Sequence, residues 1–346
     1  MHSTIGIASV FAMIGLVGLM VSRAEGPAAE PKAPFAWKLS PPLISPASRP
    51  SDPCCSVKDP TAVFFKDRWH VFCTIRSQVR THQIEYLSFD RWDGADKADR
   101  HILTCRDKYF CAPQVFYFTP HRKWYLLYQV GEPTRKHQLQ PAYSTSENIA
   151  DPNSWSQAKL LFPQEDPKGV EKWIDFWVIA DSAKAYLFFT SLDGRLWRMW
   201  TPLEKFPEGF DHCEVALKAD IFEASHTYRL KGLEKYLTVV EAGQSGRRYY
   251  KAYLADSLDG KWTPLADSES KPFAGAANVR QGDPPWTDNI SHGELIRTGY
   301  DQTMTVDPAN LQFLIQGVTE KHKAGKKYGE IPWRLGLLTP ATQPGN

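Results

Sequence analysis

Three carboxylates stand at matching places in this chain of 346 residues. Asp59 opens "DPTAVFFKDRWHVF", Asp175 opens "DFWVIADSAKAYLFF" and Glu223 opens "EASHTYRLKGLEKYLTVV". A fourth ionisable residue, His292, opens "HGELIRTGYDQTMTVD". Each adjoins the bulky apolar residues of a strand, where a charge is costly to bury without a partner. Three carboxylates on one concavity suit hydrolysis of a glycosidic bond. One protonates the leaving oxygen, one activates water or attacks the sugar, and a third tunes and orients the acid. Crowded negative charge raises the pKa of one carboxyl, so a proton stays available near neutral pH. Ordinary structural explanations compete with this chemistry. Asp-Pro at 59–60 is a common turn dipeptide, Glu223 suits an ion pair with Arg or Lys, and a lone histidine is usually hydrogen-bonded.

The elements that must position these residues form a repeat. A fifth copy, "APQVFYFTPHRKWYLLY" (112–128), completes the set. Every copy is a bulky apolar strand, a polar turn and a second aromatic strand. The turns are Lys-Asp-Arg, Pro-His-Arg-Lys, Asp-Ser-Ala-Lys, Lys-Gly-Leu-Glu and Gly-Tyr-Asp-Gln, which is ordinary hairpin chemistry. Further strand candidates lie between copies, at 194–202, 247–257 and 311–317. No long stretch shows a 3.6-residue apolar period. An all-β repeat of roughly 50–60 residues predicts a five-bladed β-propeller. A β-sandwich with coincidental hairpins is the alternative. In the propeller, Asp59, Ala112, Asp175, Glu223 and His292 are expected to occupy equivalent places near one mouth of the central channel.

Bulk properties narrow the class. The formal net charge is +2 with interspersed signs, so no basic field argues for nucleic acid. The 12 Trp, 14 Tyr and 18 Phe suit a β core and also stacking on sugars. Ile5 to Val21 is an apolar run followed by Ser22-Arg23-Ala24. This reads as a signal peptide over 1–24 and a secreted or periplasmic protein, with a retained anchor as the alternative. Residues 25–53 are rich in Pro, Ala and Ser and read as a linker or strap, leaving 54–346 as the catalytic domain. Six cysteines (54, 55, 73, 105, 111 and 213) permit bridges in an oxidising compartment, with Cys105 and Cys111 close enough to shut a small loop. Their spacing indicates no zinc site. "GQSG" (243–246) lacks phosphate-loop context, no serine sits in a nucleophile elbow, and "KHKAGKK" (321–327) is a solvated basic loop.

The segments "SVKDPTAVFFKDRWHVF", "DIFEASHTYRLKGLEKYLTVVEA", "DSLDGKWTPLADSESKPFAGAANV", "TDNISHGELIRTGYDQTMTVDPANLQFLIQG" and "YGEIPWRLGLLT" together resemble glycoside hydrolase family 62, over about residues 50–340. The resemblance implies a secreted five-bladed α-L-arabinofuranosidase that removes arabinofuranose branches from arabinoxylan or arabinan with inversion. It implies Asp59 as general base, Asp175 as pKa modulator and Glu223 as general acid. Lys58 would contact the terminal sugar and Tyr328 would line the substrate groove. His292 would hold a central divalent cation, Ca2+, with no organic cofactor. Four positions depart from the family pattern: Phe176, Val130, Gly329 and Glu294. A monomer is expected, because a single-copy propeller closes its own ring. The rival readings are a related five-bladed arabinanase or β-xylosidase, and a non-catalytic polysaccharide-binding propeller.

Overall fold

The computed structural model describes residues 28–341; the expected signal peptide lies outside them. Among the described residues the strands assemble into five sheets, each largely antiparallel. Blade I holds Cys54–Phe65, Arg68–Ser77, Thr81–Phe89 and Arg100–Ile102, and blade II holds Phe110–Phe118, Lys123–Gly131, Leu139–Ser146 and Lys159–Leu160. Blade III holds Ile174–Ala180, Lys184–Thr190, Arg195–Pro202 and Asp211–Lys218. Blade IV is built on His226–Leu230, Tyr236–Ala242, Tyr249–Ala255 and Thr263–Ser268, and blade V on Asn289–Leu295, Phe313–Val318 and Arg334–Pro340. The hairpin strands are buried along nearly their whole length, and the chain reverses where these apolar runs meet turn-compatible residues. At the blade I turn, Lys66 and Asp67 both take positive φ (49° and 60°), the geometry that matches strand twist in tight hairpins.

Ring closure recruits the Pro/Ala/Ser-rich stretch. Trp37–Leu39 pairs antiparallel with Leu338–Pro340 and parallel with Val279–Arg280, and Ile44 bridges Leu335. Part of the segment expected as linker or strap is therefore a strand of blade V. The physical reason is the open edge of the last strand, which needs hydrogen-bond partners. Trp37 is 2% exposed and its indole N–H donates to the Phe273 carbonyl at 2.5 Å.

The fifth sequence copy needs a correction. Thr305–Val306, expected as the second strand of its hairpin, instead pairs parallel with Arg229–Leu230 of blade IV. The partner of the innermost blade V strand is Phe313–Val318. Residues 299–302 reach across to blades II and III, with Tyr300 O accepting from Tyr117 N at 2.7 Å and Gln302 O from Ala180 N at 2.8 Å.

The innermost strands share one irregularity. Pairing shifts between Lys58 and Thr61, Cys111 and Gln114, Ile174 and Trp177, and Ser291 and Glu294. Asp59, Ala112 and Asp175 sit in these bulges with φ of 49°, 52° and 57°. In blade IV the residue with this backbone is Ala224 (φ 52°). Such conformations cost of order 1–3 kcal/mol for a non-glycine residue, and bulges re-aim side chains next to active sites. Glu223 therefore lies one position before the ring register expected for it. It matches Lys58, Cys111, Ile174 and Ser291 instead.

Candidate active site

The bulged backbone is pinned blade to blade. Asp59 N donates to Gln316 Oε1 (2.8 Å), Ala112 N to Thr74 Oγ1 (2.8 Å), Asp175 N to Gln129 Oε1 (3.3 Å) and His292 N to Glu241 Oε2 (2.7 Å). Each acceptor comes from the second strand of the preceding blade. Blade IV breaks the rule: Ala224 N donates to Asp175 Oδ2 at 2.9 Å. Thr190, whose strand position matches the other acceptors, is left with a buried hydroxyl lacking a protein partner. Asp175 has thus displaced a structural contact. That bond fixes its carboxylate beside the Glu223 backbone.

These locks bring the expected site residues together. Asp59, Asp175, Glu223, Lys58 and His292 are all buried at the channel mouth. His292 Nδ1 lies 3.3 Å from Asp59 Oδ1 and 3.8 Å from Asp175 Oδ2, so the imidazole stands between two of the carboxylates. Lys58 Nζ is 3.7 Å from Asp59 Oδ2. It also donates to Tyr328 Oη at 3.5 Å and lies 4.6 Å from the centre of that ring. Tyr328 is 48% exposed as a residue, while its hydroxyl points in to the buried Lys58. Glu223 Oε1 accepts from Arg248 Nη1 at 2.9 Å.

The carboxyls are driven apart in acidity. Burial alone would raise Asp59, but Lys58, His292 and the Thr74 hydroxyl hold it below its ordinary value. It is the ionised member. Burial, then the negative charges of Glu241 and Asp175, push Glu223 well above the usual carboxylate range, and Arg248 offsets only part of this. Asp175 is also raised, chiefly by burial, against the pull of His292 and with Asp59 adding to the rise. Two unit charges 4 Å apart interact by about 4 kcal/mol at an effective dielectric near 20, or about three pKa units. One neighbouring charge is therefore enough to decide which carboxyl keeps its proton. An ionised base and a protonated acid in one mouth are what hydrolysis of an acetal requires.

Sequence reasoning missed two residues here, Glu241 and Arg248. Glu241 is wholly buried. It accepts from Arg248, from Ser291 Oγ at 2.8 Å and from His292 N. Its signal was available: in "LTVVEA" a carboxylate follows four strand residues, the same anomaly that marks Asp175. Two departures from the family pattern are core residues. Val130 is fully buried, and Phe176 packs on Trp173 and Phe189 with ring centres 5.3 and 6.1 Å apart. All six cysteines are free thiols. The bridge suggested by the spacing of Cys105 and Cys111 is not formed, because Cys111 turns to the site. There its thiol donates to Tyr109 Oη (3.1 Å) and accepts from Gln129 Nε2 (3.2 Å).

The residues around His292 do not by themselves build a calcium cage. Ca2+ takes six to eight oxygen ligands. Among the described residues no group of three or more His, Cys, Asp or Glu is arranged to hold a metal ion. Of the two His292 ring nitrogens, Nδ1 faces Asp59 and Asp175. Deeper in the channel Arg297 supplies a cation of its own. It pairs with Glu294 at 2.8 Å and donates to the carbonyls of Ala62 (3.1 Å) and Val115 (2.9 Å).

A five-bladed propeller that gathers carboxyls of opposed acidity at one mouth is an arrangement suited to acid–base hydrolysis of a glycosidic bond. The family model for glycosyl hydrolase family 62 matches residues 42–339, and the chain belongs to that family. Alpha-L-arabinofuranosidase C of Cellvibrio japonicus (strain Ueda107) is 41% identical over 317 residues, covering 89% of this chain and 48% of that protein. The chain thus spans about half the length of this curated relative. Among solved structures, the catalytic domain of a Coprinopsis cinerea family 62 alpha-L-arabinofuranosidase superposes with TM-score 0.83 at 38% identity, covering 90% of this chain and 98% of that one. An alpha-L-arabinofuranosidase from Podospora anserina, in complex with cellotriose, gives TM-score 0.83 at 35% identity, covering 91% and 99%.

Proposed function

We propose that the protein is an inverting α-L-arabinofuranosidase that releases arabinofuranose side chains from arabinoxylan or arabinan. The observation that carries this reading is the opposed acidity of Asp59 and Glu223 in one mouth. The names of the relatives support the sugar. In this mechanism Glu223 donates its proton to the glycosidic oxygen. Asp59 takes a proton from a water on the opposite face of the furanose ring, and that water attacks the anomeric carbon. The bond to the leaving oxygen breaks as the new C–O bond forms, which inverts the anomeric centre. Inversion needs the acid and base carboxyls roughly 6.5–9.5 Å apart. Asp175, held by the Ala224 N–H, keeps negative charge beside Glu223 and so keeps it protonated. Lys58 and Tyr328 meet the sugar. A divalent cation at His292 would anchor the channel, with no catalytic step assigned to it. Secretion, a monomeric state and a plant cell-wall polysaccharide substrate belong to the same proposal.

The test is product analysis on wheat-type arabinoxylan and sugar-beet-type arabinan, with NMR of the first-formed anomer. Free arabinose appearing first as the β-anomer is expected. A retained α-anomer would contradict the role of Asp59. Release of xylose or of arabino-oligosaccharides would move the protein to a β-xylosidase or arabinanase, and binding without turnover on every pentosan would make it a non-catalytic propeller.

A further inference from the structure

Four of the five blade-to-blade locks take their acceptor from the same strand position, yet only one acceptor is charged. Gln316, Thr74 and Gln129 serve blades I, II and III as neutral groups. Glu241 serves blade V as a carboxylate. The His292 N–H needs only an acceptor oxygen, and an amide supplies one at two other blades. Closing the ring therefore does not demand the charge of Glu241. A wholly buried carboxylate is costly unless a partner repays it, so its charge calls for a separate reason.

The partner is Arg248. Its Nη1 donates both to Glu241 and to Glu223 Oε1 (2.9 Å), and its guanidinium lies 4.3 Å from the centre of the Phe222 ring. Without Glu241, Glu223 would be the only carboxylate bonded to this cation, and a cation beside a carboxyl favours loss of its proton. We propose that Glu241 is a positioning residue for the proton donor: it takes up the charge of Arg248, so that Glu223 stays protonated and aimed at the mouth. The proposal rests on the reading of Glu223 as general acid. The other charged and titratable groups that act on Glu223 or feel it are Asp175 of blade III, Lys58 of blade I and Tyr328 at the rim. None of these is bonded to Arg248, so they cannot take over its neutralisation. Burial together with Glu241 and Asp175 holds the Glu223 carboxyl high, in keeping with this arrangement.

The decisive variant is Glu241→Gln in the full chain, because Gln already serves the same lock in blades I and III. Rates are measured against pH on arabinoxylan and on 2,4-dinitrophenyl α-L-arabinofuranoside, whose leaving group departs without a proton. The alkaline limb on arabinoxylan is expected to move to lower pH by roughly 1–3 units, the effect of one neighbouring charge. The deficit at neutral pH should be large on arabinoxylan and small on the aryl glycoside, with KM unchanged. A limb that stays in place, with equal losses on both substrates, would show a merely structural role and overturn the proposal. Glu241→Asp keeps the charge and should keep the limb near its wild-type position; a shift as large as that of the Gln variant would also overturn it. Should Glu241→Gln fail to fold, Arg248→Gln tests the same balance from the other side and should move the limb to higher pH. No movement there counts against the proposal. If Glu223→Gln turned over arabinoxylan at the wild-type rate, the acid assignment itself would fail, a result separate from all of these.

Discussion

Replacing Glu223 by Gln removes one proton and almost no volume. The side chain is 11% exposed and bonded to Arg248 Nη1 at 2.9 Å, and the amide oxygen of Gln can accept that same bond. A positioned general acid contributes about 10²–10⁴-fold. At 1.36 kcal/mol per decade this is about 2.7–5.4 kcal/mol of transition-state stabilisation. Arabinose release from arabinoxylan is expected to fall by that factor. The loss should largely vanish on an aryl arabinofuranoside with a dinitrophenolate leaving group. Stability should respond with a definite sign. The folded pKa of Glu223 lies well above its ordinary 4.5, so between those values the native state binds a proton that the unfolded chain has released. Wild-type stability from this group is intact below 4.5 and is lost as pH rises toward the folded pKa. Glu223→Gln has no such dependence. Its Tm should equal that of wild type at acid pH, rise above it as pH increases, and level off beyond the folded pKa. Calorimetry across pH 4 to 8, with reducing-sugar assays on both substrates, reads both effects. Full activity on arabinoxylan, or a Tm difference that does not change with pH, would refute the reasoning.

Other expectations follow from the same geometry. Asp59→Asn should abolish turnover on polymer and aryl glycoside alike, because the attacking water loses its base whatever the leaving group. For the wild type, the acid limb of kcat/KM should lie below the ordinary aspartate value of 3.8, since Lys58 and His292 outweigh burial at Asp59. Trp37→Ala should cost about 3–5 kcal/mol, the usual penalty for emptying a buried aromatic site. It should lower the denaturation midpoint while leaving the activity of the remaining folded protein intact. Chelation with EDTA should leave the rate of arabinose release unchanged, because Asp59 and Glu223 supply both base and acid; parallel assays with and without added Ca2+ check this.

The sequence made much of this site legible. Asp59, Asp175 and Glu223 stand out because a charge beside "TAVFF", "FWVI" or "IF" conflicts with its surroundings, and that conflict is local. The same test applied to "LTVVEA" marks Glu241, whose place in the second strand of its hairpin does not by itself put it at the channel mouth. Arg248 was harder. In "GRRYYKAYLADS" an arginine at the start of a strand looks like an ordinary solvated charge, and nothing nearby in sequence announces two buried acids. The fifth blade misled for a related reason. Thr305–Val306 has a strand-like composition, and only the position of blade IV decides that it pairs there.

The chain by itself determined its strands, its five-fold repetition and the places where charge interrupts apolar runs. Apolar runs, turn residues and the burial cost of a carboxylate act over a few neighbouring residues, so they can be read from spacing. The tertiary structure alone decided which oxygen meets which nitrogen. In the bulged strands a one-residue offset redirects a side chain, and this offset separates Glu223 from the ring that holds Asp59 and Asp175. Its partners come from residues 25 and 18 positions further along the chain, at Arg248 and Glu241. The acidity of Glu223 depends on distances across blades, through a buried medium where one charge outweighs the intrinsic preference of the group. Those distances exist only once Trp37 and the last strand have closed the ring.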